Sequence, residues 1–159
     1  MSPAVRPPAA PRADLPFRGL ALLWVIAGGL VAAVTSPWVL EHGSWTAAFA
    51  VLVGGVLQAT LGLAQHTLAS PPPRRRILGA ELTTWNSGCI AVIAGTWTTL
   101  PAIVDVGGVL LVGTLSLMIA AVGRGSVGPR WAVWLFRAAL AVTLVSIPIG
   151  LILAHLRDS

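Results

Sequence analysis

Residues 45–68 read WTAAFAVLVGGVLQATLGLAQHTL, 24 residues without one Asp, Glu, Lys or Arg. A bilayer's hydrocarbon core is about 30 Å thick, and a helix crosses it in about 20 apolar residues. Lipid offers the backbone no hydrogen-bond partner, so a stretch of this kind must satisfy its own N–H and C=O groups as helix. It predicts a transmembrane helix, and the chain on either side repeats the pattern. After the linker SPPPRRR, residues 77–100 read ILGAELTTWNSGCIAVIAGTWTTL, with Glu81 their single charged residue. Upstream of the turn Glu41-His42-Gly43-Ser44 an apolar run covers residues 19–40. Downstream, residues 105–122 and 131–155 form two more runs around the polar turn RGSVGPR.

The expected fold is therefore all-α, a polytopic membrane helix bundle with five transmembrane helices in one domain, residues 19–156. The alternative is four spans, with one of 77–100 and 105–122 re-entrant. Pro101 should end the third span, Asp105 should cap the first turn of the fourth, and Pro148 should kink the fifth by freeing the carbonyl of Leu144.

Composition agrees. Hydrophobic residues make up 56% of the chain and charged residues 9%, where a soluble domain carries about 25% charged residues. So few charges cannot cover a soluble surface, which excludes a soluble globular domain, a disordered chain and a nucleic-acid module. Residues 1–18, with five Pro and three Arg, read as a disordered cytoplasmic tail. The run after it exceeds the h-region of a signal peptide and has no clear small-residue cleavage site, so cleavage is not expected.

All ten basic residues are Arg, and Tyr and Lys are absent. That bias fits codon usage in a GC-rich bacterial genome. The Arg positions set orientation. Arg6, Arg12 and Arg18 precede span one, Arg74, Arg75 and Arg76 lie between spans two and three, and Arg124 and Arg130 lie between spans four and five. With five spans all of these share one side, and short Arg-rich loops stay cytoplasmic. The expectation is a bacterial cytoplasmic (inner) membrane protein with its N-terminus inside and its C-terminus outside. Trp38, Trp45 and Trp97 then fall near outer span ends and Trp24, Trp131 and Trp134 near inner ends, where indoles favour the interface. Arg137 is close enough to the inner side to snorkel.

Val53-Gly54-Gly55-Val56-Leu57 and Val106-Gly107-Gly108-Val109-Leu110 hint at a duplicated hairpin, although chance explains them in a chain so rich in Gly, Val and Leu. Either way, small residues let helix backbones approach closely in lipid.

The candidate site is an intramembrane polar cluster. Gln58, Gly62, Gln65 and His66 share one face of span two, and Glu81, Thr84, Trp85 and Gly88 share one face of span three. His66 and Glu81 should lie at similar depth near the inner interface, where a carboxylate would stabilise a protonated imidazole. Ionisable residues inside a membrane are functional candidates by default. Because both sit so close to the span ends, the expectation is nonetheless that both are wet at the headgroup level, with the glutamines serving as interhelical glue. Asn86, Ser87 and Cys89 make span three the most polar, and Thr84 and Asn86 complete the candidate set. Arg74, Arg75 and Arg76 are expected to contact lipid headgroups. His42 and His155 are the only candidates for a metal or haem, and weak ones, one in a turn and one at a helix end. Cys89 is the sole cysteine and lies inside an apolar stretch.

No motif for catalysis, phosphate binding or metal ligation is present, so no enzymatic activity and no cofactor are expected. The expected function is a non-enzymatic accessory or structural subunit of a bacterial membrane complex. Its expected partners are the lipid bilayer and other membrane subunits or copies of itself, with no nucleic acid. The alternatives are a small proton-coupled transporter acting as a homo-oligomer, and a haem- or quinone-associated redox subunit.

Overall fold

The computed structural model describes residues 15–38, 40, 42–69 and 73–123, together with nine helical positions between 130 and 145. Among the described residues there is no β-strand, and four helices are long and apolar enough to cross a membrane. Helix α1 is Leu15–Thr35, prolonged by a 3-10 turn, Ser36–Trp38. Helix α2 is Gly43–Leu68, α3 is Arg75–Thr98 and α4 is Pro101–Gly123. Such a bundle, with an exterior of exposed Leu, Val, Ile and Trp, is that of a small integral membrane protein.

Helix α1 starts four residues earlier than expected. Pro16 suits a first helical turn, where its missing N–H has no partner to lose. Phe17 is 1% exposed and packs where Gly62 of α2 leaves room for its ring. Residues 15–18 thus belong to the bundle and not to the tail, and residues 1–14 lie outside the described residues. The chain leaves α1 at Pro37, which cannot continue a helical hydrogen-bond ladder.

The turn between α3 and α4 also departs from expectation. Helix α3 ends in a left-handed residue, Thr99 with φ 53°. The N–H of Leu100 donates to the Gly95 carbonyl at 3.0 Å and that of Thr99 to the Thr96 carbonyl at 3.4 Å. This pair of bonds is a Schellman ending. Pro101 then opens α4, so it starts one helix and does not merely stop another. Asp105 falls beyond the first turn and does not cap it. Helices α3 and α4 have 24 and 23 residues, so each is long enough to cross a membrane by itself. Of the fifth span, residues 131–155, the described positions are helical. Val133 and Phe136 join the core formed by Phe17, Leu61, Trp85, Leu111, Leu115 and Met118. The remainder of that span, with Pro148, lies outside the described residues.

The helices pair as two antiparallel hairpins, α1 with α2 and α3 with α4. Glycine makes each hairpin tight. A Cβ on Gly28 would stand 2.9 Å from the Ala47 carbonyl oxygen, and one on Gly107 would stand 2.8 Å from the Gly88 carbonyl oxygen. Both Val-Gly-Gly-Val-Leu segments lie in these seams, but Gly54 is eleven residues into α2 and Gly107 six residues into α4. Unequal depth favours coincidence over duplication.

Between the hairpins the joints are side-chain hydrogen bonds. Trp97 Nε1 donates to Thr46 Oγ1 at 2.8 Å near one end, Trp24 Nε1 to Asn86 Oδ1 at 2.6 Å, and Gln65 Nε2 to Glu81 Oε1 at 2.9 Å toward the other. Helix α2 is not uniform. Its middle, Ala50–Leu57, is π-helical, with Gly54 and Gly55 buried against Trp24 and Val25 of α1.

Candidate polar site in the bundle seam

The site lies where α2 and α3 run antiparallel. Gln58 and Gln65 are seven residues apart on α2, which puts them on one face about 10 Å apart along the axis. Glu81 and Trp85 are one turn apart on α3. All four side chains are at most 1% exposed, and Glu81 is wholly buried. Glu81 is the only charged residue among the buried described ones.

Gln65 Nε2 donates to Glu81 Oε1. A carboxylate can only accept, so this bond fixes the orientation of the amide and turns Gln65 Oε1 away as a bare acceptor. Glu81 Oε2, Gln65 Oε1, both amide atoms of Gln58 and Trp85 Nε1 are buried with no partner among the described residues. Buried polar atoms are satisfied in most proteins, so five such atoms in one seam mark a region where further binding chemistry is available.

The expected His66–Glu81 pair does not form. His66 is exposed, and its neighbour Gln65 takes the place opposite Glu81. Adjacent helical residues point about 100° apart, so both cannot face α3. Glu81 is accordingly not wet at a headgroup surface. Gln58 sits in the seam as expected. Thr84 is half-buried. Asn86 does not join Glu81: its Oδ1 accepts from Trp24 of α1 and its Nδ2 donates to the Leu82 carbonyl at 2.7 Å.

Buried groups outside the candidate set include Trp85 and Thr114. Trp85 lies on the Glu81 face, as its spacing predicts, and is buried there. Thr114 of α4 is wholly buried and donates to the Leu110 carbonyl at 3.0 Å. A hydroxyl in an apolar run was the available signal.

Polar lining is interrupted beyond Gln58. There the buried positions of α2 are Gly55, Gly54, Ala50 and Ala47, and those of α3 are Gly88, Cys89, Val92 and Gly95, and polar contact resumes at buried Thr46, which accepts from Trp97 Nε1. At that far end His42 is half-buried, its ring 6.3 Å from that of Trp97, and Trp45 stacks on Phe49. His155 lies outside the described residues. Among the described residues no three His, Cys, Asp or Glu side chains group as a metal site. Arg74, Arg75 and Arg76, at the start of α3, are all exposed. No protein-family model, no curated protein and no solved structure matches this chain.

Proposed function

We propose that this small integral membrane protein is a non-enzymatic accessory or structural subunit, working within a bacterial cytoplasmic-membrane complex or with copies of itself. One observation supports it most: the polar seam is interrupted, because between Gln58 and Thr46 its buried positions on α2 and the facing ones on α3 are Gly, Ala, Cys and Val. A single chain therefore offers no continuous polar path from one end of the seam to the other. A second chain would complete such a path or use the bundle as a docking partner. Extraction in mild detergent followed by native mass spectrometry tests this reading. A stoichiometric partner or a defined homo-oligomer is expected, and a clean monomer at all detergent-to-protein ratios would overturn it.

The burial of Glu81 favours a second reading, a small proton-coupled transporter built as a homo-oligomer. An ionisable group inside a membrane marks substrate or proton paths by default. In reconstituted vesicles Glu81→Gln should then abolish pH-dependent flux, and unchanged flux would remove this reading.

A further inference from the structure

We propose that the Gln65–Glu81 pair is a proton-binding site that locks the two hairpins together when loaded. The inference starts from two atoms left bare on two groups that already share a hydrogen bond. Gln65 Nε2 already donates to Glu81 Oε1 at 2.9 Å. Glu81 Oε2 and Gln65 Oε1 are the remaining oxygens of the same two groups, both buried without a partner. Two acceptors cannot satisfy each other. A proton on Glu81 Oε2 makes one of them a donor, and the new O–H then donates to Gln65 Oε1. Carboxylic acid and carboxamide close a ring of two hydrogen bonds, with no net charge and neither oxygen bare. The proton comes from water and returns to it, and no other atom changes partner.

The alternative state is expensive. With the proton lost, an ionised carboxylate stays in a seam of low dielectric with one hydrogen bond. The charged and titratable neighbours do not change this. On α1 Arg18 is exposed, on α2 His66 is exposed, and on α3 Arg74, Arg75 and Arg76 are exposed. Residues 111–123 of α4 contain no charged residue, and Arg130 and Arg137 are exposed. All of these side chains reach the surface, whereas the carboxyl group is wholly buried.

Proton loading therefore bears on packing. Each hairpin is knit internally by backbone contact at glycine, whereas the hairpins meet through a shared apolar core and side-chain bonds that include those from Trp24, Gln65 and Trp97. The Gln65–Glu81 joint is the one of these three that a proton can tighten from one bond to two. Stability from the ring is present at low pH and is lost as pH rises and the proton leaves. This holds whether the chain is an accessory subunit or a transporter, because it concerns the pair alone.

Infrared spectroscopy and thermal unfolding of the full chain in detergent test it. Wild-type protein should show a protonated-carboxyl C=O band that Glu81→Gln removes, and its melting temperature should fall by several degrees from mildly acidic to mildly alkaline pH. Glu81→Gln replaces the acid–amide ring with an amide–amide ring of the same shape, so it should fold and lose that pH dependence. Gln65→Leu keeps the carboxyl group and should weaken the band's hydrogen-bond shift. A protein with no such band at any pH in that range, or a Glu81→Gln protein with the wild-type pH dependence, overturns the proposal. Loss of the band on adding sodium but not potassium at fixed pH also overturns it, by making the site one for a metal cation.

Discussion

Trp24 on α1 and Asn86 on α3 are 62 residues apart, and the indole nitrogen of the first donates to the side-chain oxygen of the second at 2.6 Å. The bond ties the first helix of one hairpin to the first helix of the other. It also removes Asn86 from the Glu81 cluster, since its remaining donor goes to the Leu82 carbonyl. Trp24→Phe keeps most of the ring's packing and takes away only the donor. The half-buried Asn86 oxygen is then left without its partner, at a cost of about 1 to 2 kcal/mol. Thermal unfolding in detergent should show the loss, while Trp24→Phe combined with Asn86→Leu should recover part of it.

Gly107 is one of the tight points of the second hairpin. An added Cβ would stand 2.8 Å from both the Gly88 carbonyl oxygen and the Val92 nitrogen. Neither is a flexible side-chain end, so α3 and α4 must separate. Gly107→Ala should destabilise by about 1 to 3 kcal/mol. Gly113→Ala, where the added carbon meets nothing within 4 Å, is the control and should be neutral or slightly stabilising. A chemical-denaturation or thermal scan of the two variants side by side checks the contrast.

Thr99 holds a left-handed backbone at the end of α3. A β-branched residue there carries strain of about 1 to 2 kcal/mol, which glycine does not. Thr99→Gly gives back part of that gain through the freer unfolded chain. A net stabilisation of about 0.5 to 1 kcal/mol is expected. Thermal unfolding decides it, and a clear loss would show that the Schellman turn is not formed.

Gln65 and His66 are neighbours with opposite expected sensitivities. Gln65→Leu strips the buried carboxyl group of Glu81 of its donor and should cost about 1 to 3 kcal/mol. His66→Leu changes an exposed side chain and should stay within about 0.5 kcal/mol. Equal effects would mean that the face of α2 opposite Glu81 is not the one described.

Much of the architecture was readable because it depends on length and polarity alone. The apolar runs gave the four helices to within five residues at either end, and the Gln58–Gln65 spacing put both glutamines on the face opposite Glu81. Rotational phase against a neighbour is different. Gln65 and His66 are both polar, both near the helix end, and only packing decides which one turns inward. Charge led toward the histidine because an imidazole is the obvious partner for a carboxylate. The tail boundary failed for a similar reason. Pro and Arg dominate residues 1–18, but one ring, that of Phe17, finds its space at Gly62, and that space is set 45 residues away. The role of Asp105 was misjudged because the Thr99 turn lets Pro101 begin the helix four residues sooner.

The π-helical stretch Ala50–Leu57 determines which residue of α2 meets Glu81. A bulge of this kind spends one residue more than an α-helix does over the same turns. If it wound back to ordinary α geometry with every residue kept, the segment after it would rotate by about 100°. Ala64 would come to where Gln65 stands, and the carboxyl group would face a methyl. Deleting one residue within 50–57 would have the reverse logic, straightening the helix while leaving Gln65 in phase. The glutamine's address is therefore written upstream of it, in a spare residue that α2 stores against α1. A helix with such a spare can change what it shows to its neighbour by shifting where the slack is kept.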